Sequence, residues 1–102
     1  MSSYLLHGKL TAQPGQREAL AGILIQASAL VSTAQGCKLY VVGLLPEDSD
    51  SVYITEIWDS KADHDASLQV PGVRELIMQA MPLLAGKPEK GQEIEILGGF
   101  GV

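Results

Sequence analysis

Two side chains in this sequence stand where they could move a proton. His64 lies between Asp63 and Asp65 in a short polar segment, and imidazole is the side chain whose ordinary pKa falls nearest neutrality. Glu56 alternates with Val52, Ile54 and Trp58 on an otherwise apolar strand face. A carboxylate there is costly to bury without partners, so it orients a ligand hydroxyl or a histidine, or it pairs with Lys9 or Lys38 across the sheet or an interface. Tyr40 and Tyr53 carry hydroxyls that can donate to a developing oxyanion, and their strand positions suit cross-strand packing equally well. Trp58 can wall a pocket or fill a core. The competing reading of His64 is a surface histidine on a polar helix.

Other chemistries lack their residues. The sequence has no Gly-x-Gly-x-x-Gly fingerprint and no phosphate loop, so a bound nucleotide is not expected. Two histidines and one cysteine without ligand spacing argue against a metal centre, and no cofactor is expected. Cys37 cannot form an internal disulfide; it fits a reducing compartment and a small packing role. His7 lies opposite the Leu6, Gly8, Leu10 register and reads as an interface residue.

The elements that must position these groups follow from periodicity. Tyr4 to Ala12 alternates as a strand, ended by Gln13-Pro14-Gly15. Leu20, Ile23, Leu24, Ala27, Val31 and Ala34 fall at helical spacing from Gln16 to about Ala34. Gly36 stops that helix, and Cys37 to Leu45 and Val52 to Trp58 form two strands joined by a polar turn. Ser60 caps a short helix with Asp63 in its first turn, and that helix ends before Pro71. Another helix starts near Gly72 and is kinked or ended at Pro82. Gln92 to about Gly98 alternates again as a strand.

The order β-α-β-β-α-β predicts an α+β, ferredoxin-like fold: one domain over residues 1–102, with helices on one face of an antiparallel sheet. The other face is left bare with residues such as Leu5, Val42 and Leu44 or their alternates, so a second copy should cover it as a homodimer. The 102 residues are 46% hydrophobic and 19% charged with net charge −5, a globular composition without the basic footprint that nucleic acid or an anionic membrane demands. Met1 to His7 lacks a basic signal-peptide region. The longest apolar stretch, Ala19 to Val31, is interrupted and short of the ~20 residues of a membrane span. The expected setting is cytoplasmic.

With the elements in order, the sequence resembles the antibiotic biosynthesis monooxygenase family. The resemblance is carried by Gln13-Pro14-Gly15 after the first strand, Gly36-Cys37 with Tyr40 opening the second, Glu56-Ile57-Trp58 closing the third, then Ser60 and a His-containing short helix. It implies a dimeric α+β barrel with one pocket per subunit between sheet and helices. It also implies a cofactor-independent monooxygenase acting with O₂ on a quinol-like or phenolic small molecule. His64 would be the base, Glu56 its orienter or a substrate partner, Tyr40 or Tyr53 the oxyanion donor, and Trp58 a pocket wall. Ser67 occupies the family's usual histidine position and would face the same pocket, since His64, three residues earlier, shares its helix face. Haem-degrading relatives use an Asn, a Trp and a His, and this chain contains no Asn. A non-catalytic ligand-binding or stress-related dimer is the alternative, as is an isomerase or decyclase on the same fold.

Overall fold

A computed structural model describes residues 3–102; the first two residues of the N-terminal segment lie outside it. Along the chain run β1 (Ser3–Thr11), α1 (Arg17–Val31), β2 (Cys37–Gly43), β3 (Ser51–Trp58), α2 (Lys61–Ala66), α3 (Val73–Ala80) and β4 (Gln92–Ile96). The strands form one sheet in the order β2-β3-β1-β4, with every neighbouring pair antiparallel. This is the ferredoxin-like α+β arrangement expected from the element order.

Period-2 alternation decides which side chains meet the helices. Leu10, Val42, Val52 and Ile54 pack with Leu20 and Leu24 of α1, and with Ala80 and Leu84. A second cluster joins Trp58 to Val31 and Val73, with Tyr4, Cys37 and Tyr40 against it. Burying each large apolar side chain contributes about 1.5–3 kcal/mol, so these two clusters anchor the helices to the sheet. Past α3 the chain returns beside β1, where Ala85 N–H donates to the Thr11 carbonyl at 2.8 Å and Gln13 N–H to that of Leu83 at 2.8 Å.

The element ends differ from expectation for local reasons. Helix α1 stops at Val31 rather than near Ala34. Ser28, Ser32 and Thr33 each turn a hydroxyl back onto the carbonyl three residues earlier, a bond that competes with helical pairing. Pro82 ends α3 as expected, and the chain tightens into a 3₁₀ turn over Met81–Leu83. Strand β2 stops at Gly43, which leaves Leu44 and Leu45 in the turn before Pro46.

The open face carries the other parity. Leu5 stands between Ile57 and Ile94 in the register, and Leu39 and Val41 pair with Ile57 and Thr55. Val41 is 50% exposed and Ile94 46%. Val42, one residue away, packs beneath the helices, so the alternate Val41 takes the place that Val42 was expected to hold. A register irregularity between Cys37 and Leu39 sets this parity. Among the described residues no helix is long and apolar enough to cross a membrane.

Candidate active site

Glu56 and Trp58 stand two residues apart on β3 and so share the face toward the helices. Both are buried: Trp58 is 0% exposed and Glu56 8%. The indole Nε1–H of Trp58 donates to Glu56 Oε1 at 2.9 Å, which satisfies the one polar atom of the buried ring. The register sets Leu6 opposite Glu56 on one side and Tyr40 on the other.

Helix α2 brings His64 over this pair. Ser60 accepts the Asp63 N–H at 3.1 Å and starts the helix as a cap. The Ser67 hydroxyl donates to the His64 carbonyl and holds the following turn. Gly36, at φ 82°, lets α2 approach: a Cβ there would collide with the Asp63 carboxylate, and the Asp59 N–H donates to the Gly36 carbonyl at 2.8 Å. The result places His64 Nε2 3.8 Å from Glu56 Oε1 and Nδ1 3.0 Å from Asp65 Oδ1. The imidazole lies edge-on to Trp58, centroids 5.9 Å apart, and 5.7 Å from the ring of Tyr4.

The electrostatics separate the two carboxylates flanking the imidazole. Burial pushes the Glu56 carboxyl above its ordinary pKa, against the pull of the Trp58 hydrogen bond and of His64. Asp65, exposed, is held below the ordinary range by its hydrogen bonds to His64 and Lys61. A carboxylate can only accept, so the 3.0 Å contact is a hydrogen bond only in the tautomer that carries its proton on His64 Nδ1. Nε2 faces Glu56.

Glu56 also reaches a cavity of about 130 Å³. Its floor is Leu6, Gly8, Leu10 and Ile54, and Lys9, Glu89 and Gly91 border it. Gly91 packs so closely on β1 that a Cβ would stand 2.9 Å from Leu6 Cδ1 and 3.1 Å from the His7 carbonyl. Cavities of about 150 Å³ accept a benzene ring, so the space matches one aromatic ring. A larger groove of about 410 Å³ lies nearby, between Tyr4, Lys61 and Glu93. Both are partly open and edged by charges, and the smaller is the one that Glu56 shares with apolar walls.

The residues singled out in the sequence divide between the two faces. His64, Glu56 and Trp58 come together, and Tyr40 stands beside Glu56 in the register. Burial, with Glu56 adding to it, pushes the Tyr40 phenol well above its ordinary pKa, which keeps it protonated and able to donate. Tyr53 is not brought to the site. It lies on the open face, donates to Asp48 at 3.4 Å and stacks near His7. Ser67 is buried and spends its hydroxyl on the His64 carbonyl. The ion pair expected for Glu56 does not form: Lys9 pairs with Glu89 at 3.9 Å and Lys38 with Asp59 at 3.4 Å. His64 on α2 comes nearer to Glu56 than either lysine's own partner leaves room for. His7 lies on the open face with Nδ1 3.0 Å from the Thr55 hydroxyl. Cys37 packs beside Trp58, and burial pushes its thiol up.

Tyr4 and Asp65 were not singled out as site residues. Alternation with Leu6 already placed Tyr4 on the covered face; its hydroxyl donates to Glu93 at 2.8 Å. Among the described residues no three His, Cys, Asp or Glu side chains gather to hold a metal ion.

A ferredoxin-like domain with a buried carboxylate, a half-buried imidazole over it and a small cavity beside it is thus the class of protein in hand. Residues 3–78 match the family model for antibiotic biosynthesis monooxygenases, and the chain belongs to that family. The fold is shared with a Chloroflexus aurantiacus J-10-fl protein of provisional assignment to the same family. That chain is 43% identical, with 96% of each chain covered and a TM-score of 0.85. A Caulobacter crescentus CB15 protein, also provisionally assigned there, is 14% identical over 95% of this chain and 92% of that one, TM-score 0.84. A Nitrosomonas europaea protein of unknown function is 24% identical over 97% and 93%, TM-score 0.79. No curated protein matches the chain.

Proposed function

We propose that this protein is a cofactor-independent monooxygenase that oxidises a quinol-like or phenolic small molecule with O₂. The observation that carries the reading is Glu56: a buried carboxylate that touches the apolar cavity and, 3.8 Å away, the imidazole of His64. A phenol in the cavity presents its hydroxyl to Glu56. The proton passes to the Glu56–His64 pair, and the electron-rich phenolate reduces O₂. One oxygen atom enters the ring as a quinone carbonyl and the other leaves as water, so the substrate supplies all the electrons.

The site's contribution is a base tuned toward neutrality and a dry wall. Burial raises the Glu56 pKa, which makes its carboxylate a stronger base than an exposed one. Tyr40, held protonated and opposite Glu56 in the register, is the phenolic donor for negative charge developing beside Glu56. Trp58 fixes Glu56 through its indole N–H and is itself core, fully buried with Val31 and Val73, so it lines none of the cavity.

The functional unit is a homodimer, because the open face of the sheet leaves Leu39, Val41 and Ile94 uncovered. The test is oxygen uptake by the purified protein with single-ring and two-ring quinols, using ¹⁸O₂ to trace the atom into product. Label in the quinone supports the reading. Product without oxygen consumption points instead to an isomerase, and binding without product to a ligand-binding dimer.

A further inference from the structure

The site has a second carboxylate, which pairs with Lys61 one turn earlier on α2 and also reaches the imidazole. Asp65 is exposed on α2 and makes no contact that holds the helix to the sheet. Its Oδ1 stands 3.0 Å from His64 Nδ1, and Lys61 Nζ lies 3.2 Å from Oδ2 and 3.4 Å from Oδ1. His64 is otherwise enclosed, with 19% of its side chain exposed, between the rings of Tyr4 and Trp58. These rings fix the plane of the imidazole, and the capped helix fixes its height. What they leave undecided is which nitrogen carries the proton.

We propose that Asp65 is a positioning residue for His64: its carboxylate holds the proton on Nδ1 and so leaves Nε2, the nitrogen aimed at Glu56, free to accept one. The proposal rests on the reading that Glu56 receives the substrate proton, because only then does a proton-accepting Nε2 matter to turnover. The line Glu56, His64, Asp65 runs from the cavity to the surface and gives that proton a way out. With the other tautomer, Nε2–H would point at Glu56, and the carboxyl could not pass its proton on.

The titratable or polar groups around the pair include Tyr4 and Lys9 of β1, Cys37 and Tyr40 of β2, Trp58 of β3, Lys61 of α2, Glu89, and Glu93 and Glu95 of β4. Among the described residues only Asp65 lies within hydrogen-bond reach of Nδ1, so one substitution isolates the effect. Asp65→Ala is placed on an exposed helix where alanine is well tolerated.

The experiment reads the imidazole ¹⁵N shifts of the full chain, which distinguish the tautomers without any substrate. Recorded at a pH where the imidazole is neutral, the wild-type shifts should place the His64 proton on Nδ1. Asp65→Ala should shift the population toward the Nε2–H form, while Lys61→Ala, which keeps the carboxylate, should leave the tautomer as it was. In turnover of a reactive quinol, Asp65→Ala should lower kcat roughly tenfold or more with KM little changed, as expected when a base loses its orienting partner. An Nε2–H wild type, or a tautomer unmoved by Asp65→Ala, overturns the assignment whatever the activity. A tautomer that moves as expected in a protein that consumes no oxygen upholds Asp65 and overturns the proposed reaction instead.

Discussion

The helix-covered face of the sheet and the open face are made by alternate residues of the same four strands, and they differ in how their awkward groups are settled. On the covered face the awkward group is a carboxylate, and the chain answers it internally: Glu56 has the Trp58 indole at 2.9 Å and His64 at 3.8 Å. Among the described residues no buried side-chain nitrogen or oxygen lacks a partner. On the open face the awkward groups are apolar, and nothing in one copy of the chain covers Leu39, Val41 or Ile94. The candidate site draws its groups from one copy of the chain, whereas the proposed dimer would take a second copy to cover the open face. Assembly and chemistry should therefore separate under mutation.

The largest effect is expected from a charge on the open face. Val41→Glu would place two carboxylates in a twofold interface, each costing about 2 kcal/mol or more when left unpaired. The dimer should weaken roughly a thousandfold, and sedimentation velocity should find monomer or aggregate at micromolar concentration. The His64 ¹⁵N signals of the soluble fraction should be unmoved. A dimer that survived Val41→Glu intact would mean that another surface joins the subunits. His7→Ala, on the same face beside Thr55 and Tyr53, should show the same separation more weakly.

Next in size is a cavity in the dry part of the covered face. Leu20 is 0% exposed and packs in the cluster with Val52 and Ala80. Leu20→Ala should cost about 2–5 kcal/mol of folding stability, measured by urea unfolding. Leu10 and Ile54 of this cluster also floor the cavity, so the folded fraction should bind substrate more weakly while kcat, set by Glu56 and His64 beside the Trp58 cluster, holds. Equal loss in kcat would show that the two clusters are coupled.

His64→Ala should do the reverse. The imidazole supports no core contact beyond the rings of Tyr4 and Trp58, so the dimer and its Tm should hold. Turnover of a reactive quinol should fall by about 10²-fold or more, the scale of general-base catalysis. Full oxygen uptake in that variant would show that Glu56 takes and releases the substrate proton without the imidazole.

Most of this division was legible in the sequence, because a period of two needs no tertiary knowledge. Alternation put Glu56 with Val52, Ile54 and Trp58, and Ser60 announced the helix that carries His64. The same parity already set Tyr53 apart from Glu56, since one is odd and the other even on a single strand. Grouping the two tyrosines by their hydroxyls passed over it. Tyr40 was harder, because the irregularity between Cys37 and Leu39 shifts the count along β2. For Glu56 the sequence left a histidine and the lysines Lys9 and Lys38 side by side as partners, and charge alone could not choose between them. Only the packing of α2 against Gly36 brings His64 nearer than either. The role of Asp65 depends on which side of a helical turn an imidazole faces, and composition carries no trace of that.

The smallest expected effect concerns the buried acid, and it asks whether the covered face holds Glu56 neutral or charged. Burial raises its pKa in the folded chain, while Trp58 and His64 pull it down, and burial prevails. The folded state therefore holds this proton more tightly than the unfolded chain does. As pH rises, the unfolded chain releases the proton first, so the stability tied to this group is fully present below the ordinary carboxylate pKa and is lost as pH climbs through the raised folded value. Glu56→Gln removes the titration but keeps an oxygen for the Trp58 indole. Urea unfolding across pH should show the two proteins converging on the acid side and the Gln variant gaining on the wild type as pH rises through that window. The lowered pKa values of exposed Asp48, Asp65 and Glu93 act with the opposite sign. They are common to both proteins and cancel in the difference, apart from what Asp65 owes to the state of His64. If the wild type instead gained on the Gln variant as pH rose, Glu56 would be a folded-state anion paired with a protonated His64, and the proton would rest on the imidazole before any substrate arrived.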